Sequence, residues 1–174
     1  MENSFQDTLN NLKAHLALGI KESCITTDLR IYNVANGIHD IIILNRLHGD
    51  AVRDALPKIF DKSIKESIDL GCDLSIIVKG LMLGAFRGSP FVRDDANKKL
   101  QTLIELNLRN VLLHKGEIKD AVQGILAATL IISNQFKLDA HQGLTKAKEV
   151  IIAFVQKEDP KILDKIKESL AQDL

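Results

Sequence analysis

Asp73-Leu74-Ser75-Ile76-Ile77-Val78-Lys79-Gly80-Leu81-Met82-Leu83-Gly84 and Glu117-Ile118-Lys119-Asp120-Ala121-Val122-Gln123-Gly124-Ile125-Leu126-Ala127-Ala128 are two versions of one segment, 44 residues apart. Each opens with an acid and an aliphatic residue. Each then places Val, a polar residue, Gly, two large apolar residues and, four after the Gly, a small residue. A glycine inside a helix costs about 1 kcal/mol relative to alanine, so two of them near helix centres call for a compensating gain. Positions i and i+4 share a helix face. Gly80 with Gly84, and Gly124 with Ala128, therefore form flat strips against which another helix packs closely. Gly143 with Ala147 is a weaker instance. The two copies are expected either to face each other or to take equivalent places in stacked helical hairpins, an arrangement similar to helical-repeat architecture.

Outward from these segments the punctuation is helical. No β-branched run alternates with polar residues, so strands are unsupported. Apolar spacing and end signals predict helices over 4–21, 29–47, 51–70, 73–87, 91–113, 117–134, 140–156 and 160–171. Thr27 or Asp28, Asp50, Asp73 and Asp139 are candidate N-caps. Gly49, Gly71 and Gly116 are expected to end helices. Pro90 and Pro160 each follow a capping residue, where a helix tolerates proline. Pro57 is expected to kink the third helix or split off its first turn. The fold class is thus all-α, a compact bundle of seven or eight helices with two related helical hairpins. No linker rich in Ser, Gly or Pro interrupts it, so residues 1–174 are expected to form a single all-helical domain.

Composition narrows the function classes. With 45% hydrophobic and 26% charged residues the chain is near the globular average. The 23 basic and 23 acidic residues balance, and aromatics make up 4%. A general nucleic-acid binder needs basic excess for phosphates and aromatic platforms for bases, so no nucleic-acid partner is expected. The most apolar stretch, 121–132, is interrupted by Gln123 and is short of the roughly 20 residues of a membrane span. The N-terminus lacks a basic and apolar leader pattern, which makes the cytoplasm the expected location. Cys24 and Cys72 have no metal-site spacing and read as packed thiols.

Chemistry-bearing patterns are few. None of the five histidines falls in a His-Glu-x-x-His or Glu-x-x-His pair, and no Gly-x-Ser-x-Gly elbow or phosphate-binding Gly-Lys-Ser/Thr loop occurs. Asn45, Arg46, His48, Asp50, Arg53 and Asp54 read as a capped, salt-bridged corner. One constellation carries a resemblance. His15, followed 24 residues later by the adjacent His39-Asp40, resembles the skeleton of HD-type metal-dependent phosphohydrolases. That family surrounds a divalent metal with a His, a His-Asp pair and a distant Asp. The resemblance implies metal ligation by His15, His39 and Asp40, with Asp94, Asp95 or another acid as fourth ligand. A metal so held generates hydroxide and polarises a phosphoryl oxygen. The family follows His-Asp with an apolar residue and glycine, whereas Ile41-Ile42-Ile43 follows here.

With no catalytic cluster and abundant helix-packing surface, the sequence favours a non-enzymatic cytoplasmic scaffold or adaptor. It would need no cofactor and would act through helix–helix contacts with itself, as a homo-oligomer, or with another protein. The alternatives are the HD-type hydrolase and a carrier of a small apolar ligand in the bundle core.

Overall fold

The computed structural model of the chain describes residues 7, 10, 27–44, 50–88 and 96–172. Among the described residues all regular structure is helical. The elements are α1 (Thr27–Leu44), α2 (Asp50–Asp69), α3 (Leu74–Gly88), α4 (Ala96–Leu113), α5 (Ile118–Gln135), α6 (Ala140–Glu158), a 3-10 turn (Pro160–Ile162) and α7 (Leu163–Gln172). The all-α bundle read from the sequence is the fold. Apart from residues 7 and 10, the helix expected over 4–21 lies outside the described residues, as do Gly49 and Ser89-Pro90. No described helix is long and apolar enough to cross a membrane.

Three helix ends share one turn. The N–H of Cys72 donates to Ser67 C=O, that of Gly116 to Val111 C=O and that of Leu138 to Ser133 C=O, each at 2.8 Å. The residue before each donor is left-handed: Gly71 at φ 67°, Lys115 at φ 58° and Lys137 at φ 54°. This is the Schellman ending, which satisfies carbonyls that the helix leaves unpaired. An acid then opens the next helix. Asp73 accepts the Ser75 N–H at 2.9 Å and the Ser75 hydroxyl at 2.6 Å. Asp139 accepts the Gln142 N–H at 2.9 Å, whereas Glu117 makes no side-chain cap bond. The left-handed residue ending α4 is therefore Lys115, not the expected Gly116. Gly116 is small for another reason: a Cβ there would lie 2.8 Å from Leu74 Cδ1 and 2.9 Å from Ile68 Cδ1.

The two described prolines sit inside and at the start of helical segments. Pro57 sits inside the unbroken helix α2. Its exposed ring lies away from the buried Leu56, Ile59 and Phe60, whose burial holds the segment on either side. Pro160 opens a 3-10 turn rather than the last α-helix, and Asp159 makes no side-chain cap bond there.

The helices alternate between two layers. α3 packs chiefly against α1 on one side and α5 on the other, while α4 lies between α2 and α6. Glycine sets the spacing in the first layer. A Cβ on Gly80 would lie 2.6 Å from Val34 Cβ, and one on Gly84 would meet the Ala35 carbonyl oxygen and lie 2.7 Å from Ile38 Cβ. A Cβ on Gly124 would meet the Ser75 carbonyl oxygen at the start of α3. Ala128, one turn on, is fully buried. The two strips therefore do not face each other. Each turns toward the preceding helix of its layer. The registers differ by about one helical turn: Gly80 sits over Val34, whose counterpart 44 residues on is Val78, but Gly124 sits over Ser75. One buried apolar cluster runs from Ile31 of α1 to Leu170 of α7.

Candidate functional site

Helices α5 and α6 run antiparallel from the turn at 136–139. Near that turn they pack closely, because Gly143 offers no side chain to Ser133: a Cβ would lie 2.6 Å from Ser133 Oγ. On the outer side of the pair a groove of about 620 Å³ opens. Gln123, Leu126, Ala127 and Leu130 line it from α5, at the i, i+3, i+4, i+7 spacing of one helix face. Ala140, His141, Leu144, Thr145 and Lys148 line it from α6.

Its floor is aliphatic and partly open to solvent. Leu130 is 42% exposed, one of four large hydrophobic residues so placed among those described. The groove's charge is one-sided. His141 and Lys148 contribute the ionisable groups, and no carboxylate lines it. Thr145 Oγ1 lies 3.2 Å from His141 Nδ1, and the Lys148 ammonium donates to Leu170 C=O of α7 at 2.8 Å. No pairing chemistry suited to acid–base work converges here. The groove offers shape, apolar surface and weak positive charge, which are the properties of a binding surface.

Of the sequence-derived metal candidates, His39 and Asp40 sit outside the groove lining. His39 and Asp40 are neighbours on α1, with Nδ1 and Oδ1 3.3 Å apart and side chains 42% and 63% exposed. His15, Asp94 and Asp95 lie outside the described residues. Among the described residues no three His, Cys, Asp or Glu side chains group as metal ligands would. Cys72 is half-buried, and Cys24 lies outside the described residues. A second His–Asp contact joins His114 Nε2 to Asp61 Oδ1 at 2.8 Å. It ties the end of α4 to α2.

Lys99 is the described side chain with a distinctly displaced pKa. Its ammonium lies 4.2 Å from the centre of the Phe86 ring and donates to Phe86 C=O at 2.6 Å. Ring and carbonyl favour the charged form, whereas burial opposes it. Burial prevails, lowering the pKa from 10.5 to about 8. Phe86 in turn meets the Phe136 ring edge-on at 4.9 Å. This cluster closes the end of α3 and lies apart from the groove lining.

The periodicity of 121–132, interrupted by Gln123, does not by itself separate the more open Ala127 and Leu130 from the buried face. The signal was present in the recurrence. Lys79, Met82, Leu83 and Phe86 stand 44 residues before Gln123, Leu126, Ala127 and Leu130. The earlier set is mostly buried and the later set is partly open. Comparison with protein-family models, curated proteins and solved structures returned no match.

Proposed function

We propose that this protein is a non-enzymatic helical scaffold or adaptor of the cytoplasm that acts through helix–helix contacts, with copies of itself or with another protein. The observation that carries the reading is the α5–α6 groove, an aliphatic concave face at the end of a layer of packed helices. Contiguous exposed apolar surface on a folded chain marks interaction sites. Helix-in-groove recognition uses this combination of aliphatic floor and polar border. His39 and Asp40, surface neighbours on α1, take no part in this function.

A photo-cross-linking residue at position 130, introduced in the producing cells, tests the reading. The expected result is a protein adduct at position 130 and none from the same residue placed at the exposed, charged position 168. Absence of any protein adduct from position 130 would sink it. The volume also lies in the range of small-ligand sites, roughly 300–1,000 Å³. A non-protein adduct at position 130 would point to the carrier alternative.

A further inference from the structure

The groove repeats a seat that is filled elsewhere in the molecule. On α3 the stripe Ser75, Lys79, Met82 and Phe86 lies along one face. That face meets α5: the Ser75 backbone lies under Gly124, and Phe86 meets Phe136. Arg87 Nη2 also donates to Gln135 Oε1 at 3.0 Å. These contacts pair the start of α3 with α5 and the end of α3 with the end of α5, so the two helices run in the same direction. Forty-four residues on, the same stripe on α5 reads Lys119, Gln123, Leu126 and Leu130. The next helix, α7, packs on α6 and contributes no residue to the groove lining.

Resting on the scaffold reading above, we infer that the α5–α6 groove is the seat for one amphipathic helix of another protein, bordered by acidic residues. Three features select this occupant. First, the seat that continues the α3–α5 interface is shaped for a helix. From Gln123 to Leu130 it spans about 10 Å along the axis, roughly two turns. Second, the lining carries His141 and Lys148 and no acid, which favours carboxylates beside the occupant's apolar stripe. Third, a second copy is a poor fit. Two grooves face to face would oppose two concavities. Among the described residues the other exposed large hydrophobics, Leu70, Leu113 and Phe136, stand at or just beyond helix ends and form no ridge.

The test uses the full chain and two designed helical peptides with the same Ala/Leu stripe, one bordered by Glu and one by Lys. Binding is followed by anisotropy and by the methyl signals of Leu126, Leu130 and Leu144. The Glu peptide is expected to bind about three- to tenfold more tightly at low salt, with the difference collapsing near about 0.5 M salt. Leu130→Glu, at a position open enough to keep the fold, is expected to weaken binding at least about tenfold. Lys148→Gln is expected to reduce the preference for the Glu peptide, with a small fall in melting temperature from loss of the bond to Leu170 C=O. Unperturbed groove methyls, or equal or tighter binding of the Lys peptide, would overturn the inference while a protein cross-link at position 130 still upheld the scaffold reading. A cross-link from position 130 to a second copy of the chain would assign the groove to self-association and also overturn it.

Discussion

Replacing Gly84 by Ala adds one methyl group to helix α3. In an isolated helix the change is favourable by about 1 kcal/mol. In this fold the new Cβ would fall on the Ala35 carbonyl oxygen, 2.7 Å from Ile38 Cβ and 3.0 Å from the Ala35 carbonyl carbon. Ordinary contact begins at 3.4 Å. Backbone atoms of α1 cannot escape by changing rotamer, so α1 and α3 must separate by roughly 0.7 Å at Ile38, and more at the carbonyl. That separation loosens Val34, Ala35 and Ile38, all buried. Overpacking of this kind costs about 1–3 kcal/mol, and contact with backbone puts it near the upper end. After the gain in helix propensity, the net loss is about 2 kcal/mol. For a chain of this size each kcal/mol moves Tm by about 2–4 °C, so Tm should fall by about 4–8 °C. Thermal and urea unfolding followed by circular dichroism measure it. Wild-type or higher stability in Gly84→Ala would refute close helix approach as the reason for the glycine.

Other outcomes follow from the same contacts. Lys137→Gly removes a side chain from a left-handed residue and should stabilise by about 0.5 kcal/mol, once the freer unfolded chain is counted; an unchanged or lower urea midpoint would contradict the turn geometry. Asp139→Ala should cost about 1 kcal/mol through loss of the Gln142 cap, read in the same titration. Lys99 is charged in both folded and unfolded chains below about pH 8, whereas between about pH 8 and 10.5 only the unfolded chain keeps the proton. Its contribution to stability therefore rises with pH across that window. Lys99→Met should flatten the rise, and a wild-type slope in the variant would exclude Lys99 as its source. His39→Ala should alter stability by no more than about 0.5 kcal/mol, since the side chain is exposed and touches only Asp40 among the polar contacts found for it.

The helices were legible because their signals are local. Apolar spacing, the acids at 73 and 139 and the left-handed Gly71 each act within a turn or two. What the glycine strips face was not legible, because strips four residues apart fix only a helix face. Whether that face meets α1, α3 or its own counterpart depends on the order of stacking. Lys115 and Lys137 were missed as turn residues because lysine carries no preference for left-handed backbone. The Schellman hydrogen bonds and the packing of Gly116 beneath Leu74 and Ile68 impose that conformation at Lys115. At Pro57 no first turn splits off, since burial on both sides holds the helix continuous despite one missing N–H. The groove was hidden for a related reason: Leu130 carries the same periodic signal as Phe86, yet Phe86 is buried and Leu130, at the end of the layer, is 42% exposed.

The most direct test of the scaffold account is native mass spectrometry of the gently purified protein, which reads subunits, metal and retained ligand together. The account predicts the mass of the chain, alone or with protein subunits, carrying no metal or organic adduct, and the same spectrum for His39→Ala. A stoichiometric divalent metal lost in His39→Ala, or a small organic molecule retained by the wild type and lost in Leu130→Glu, would contradict it.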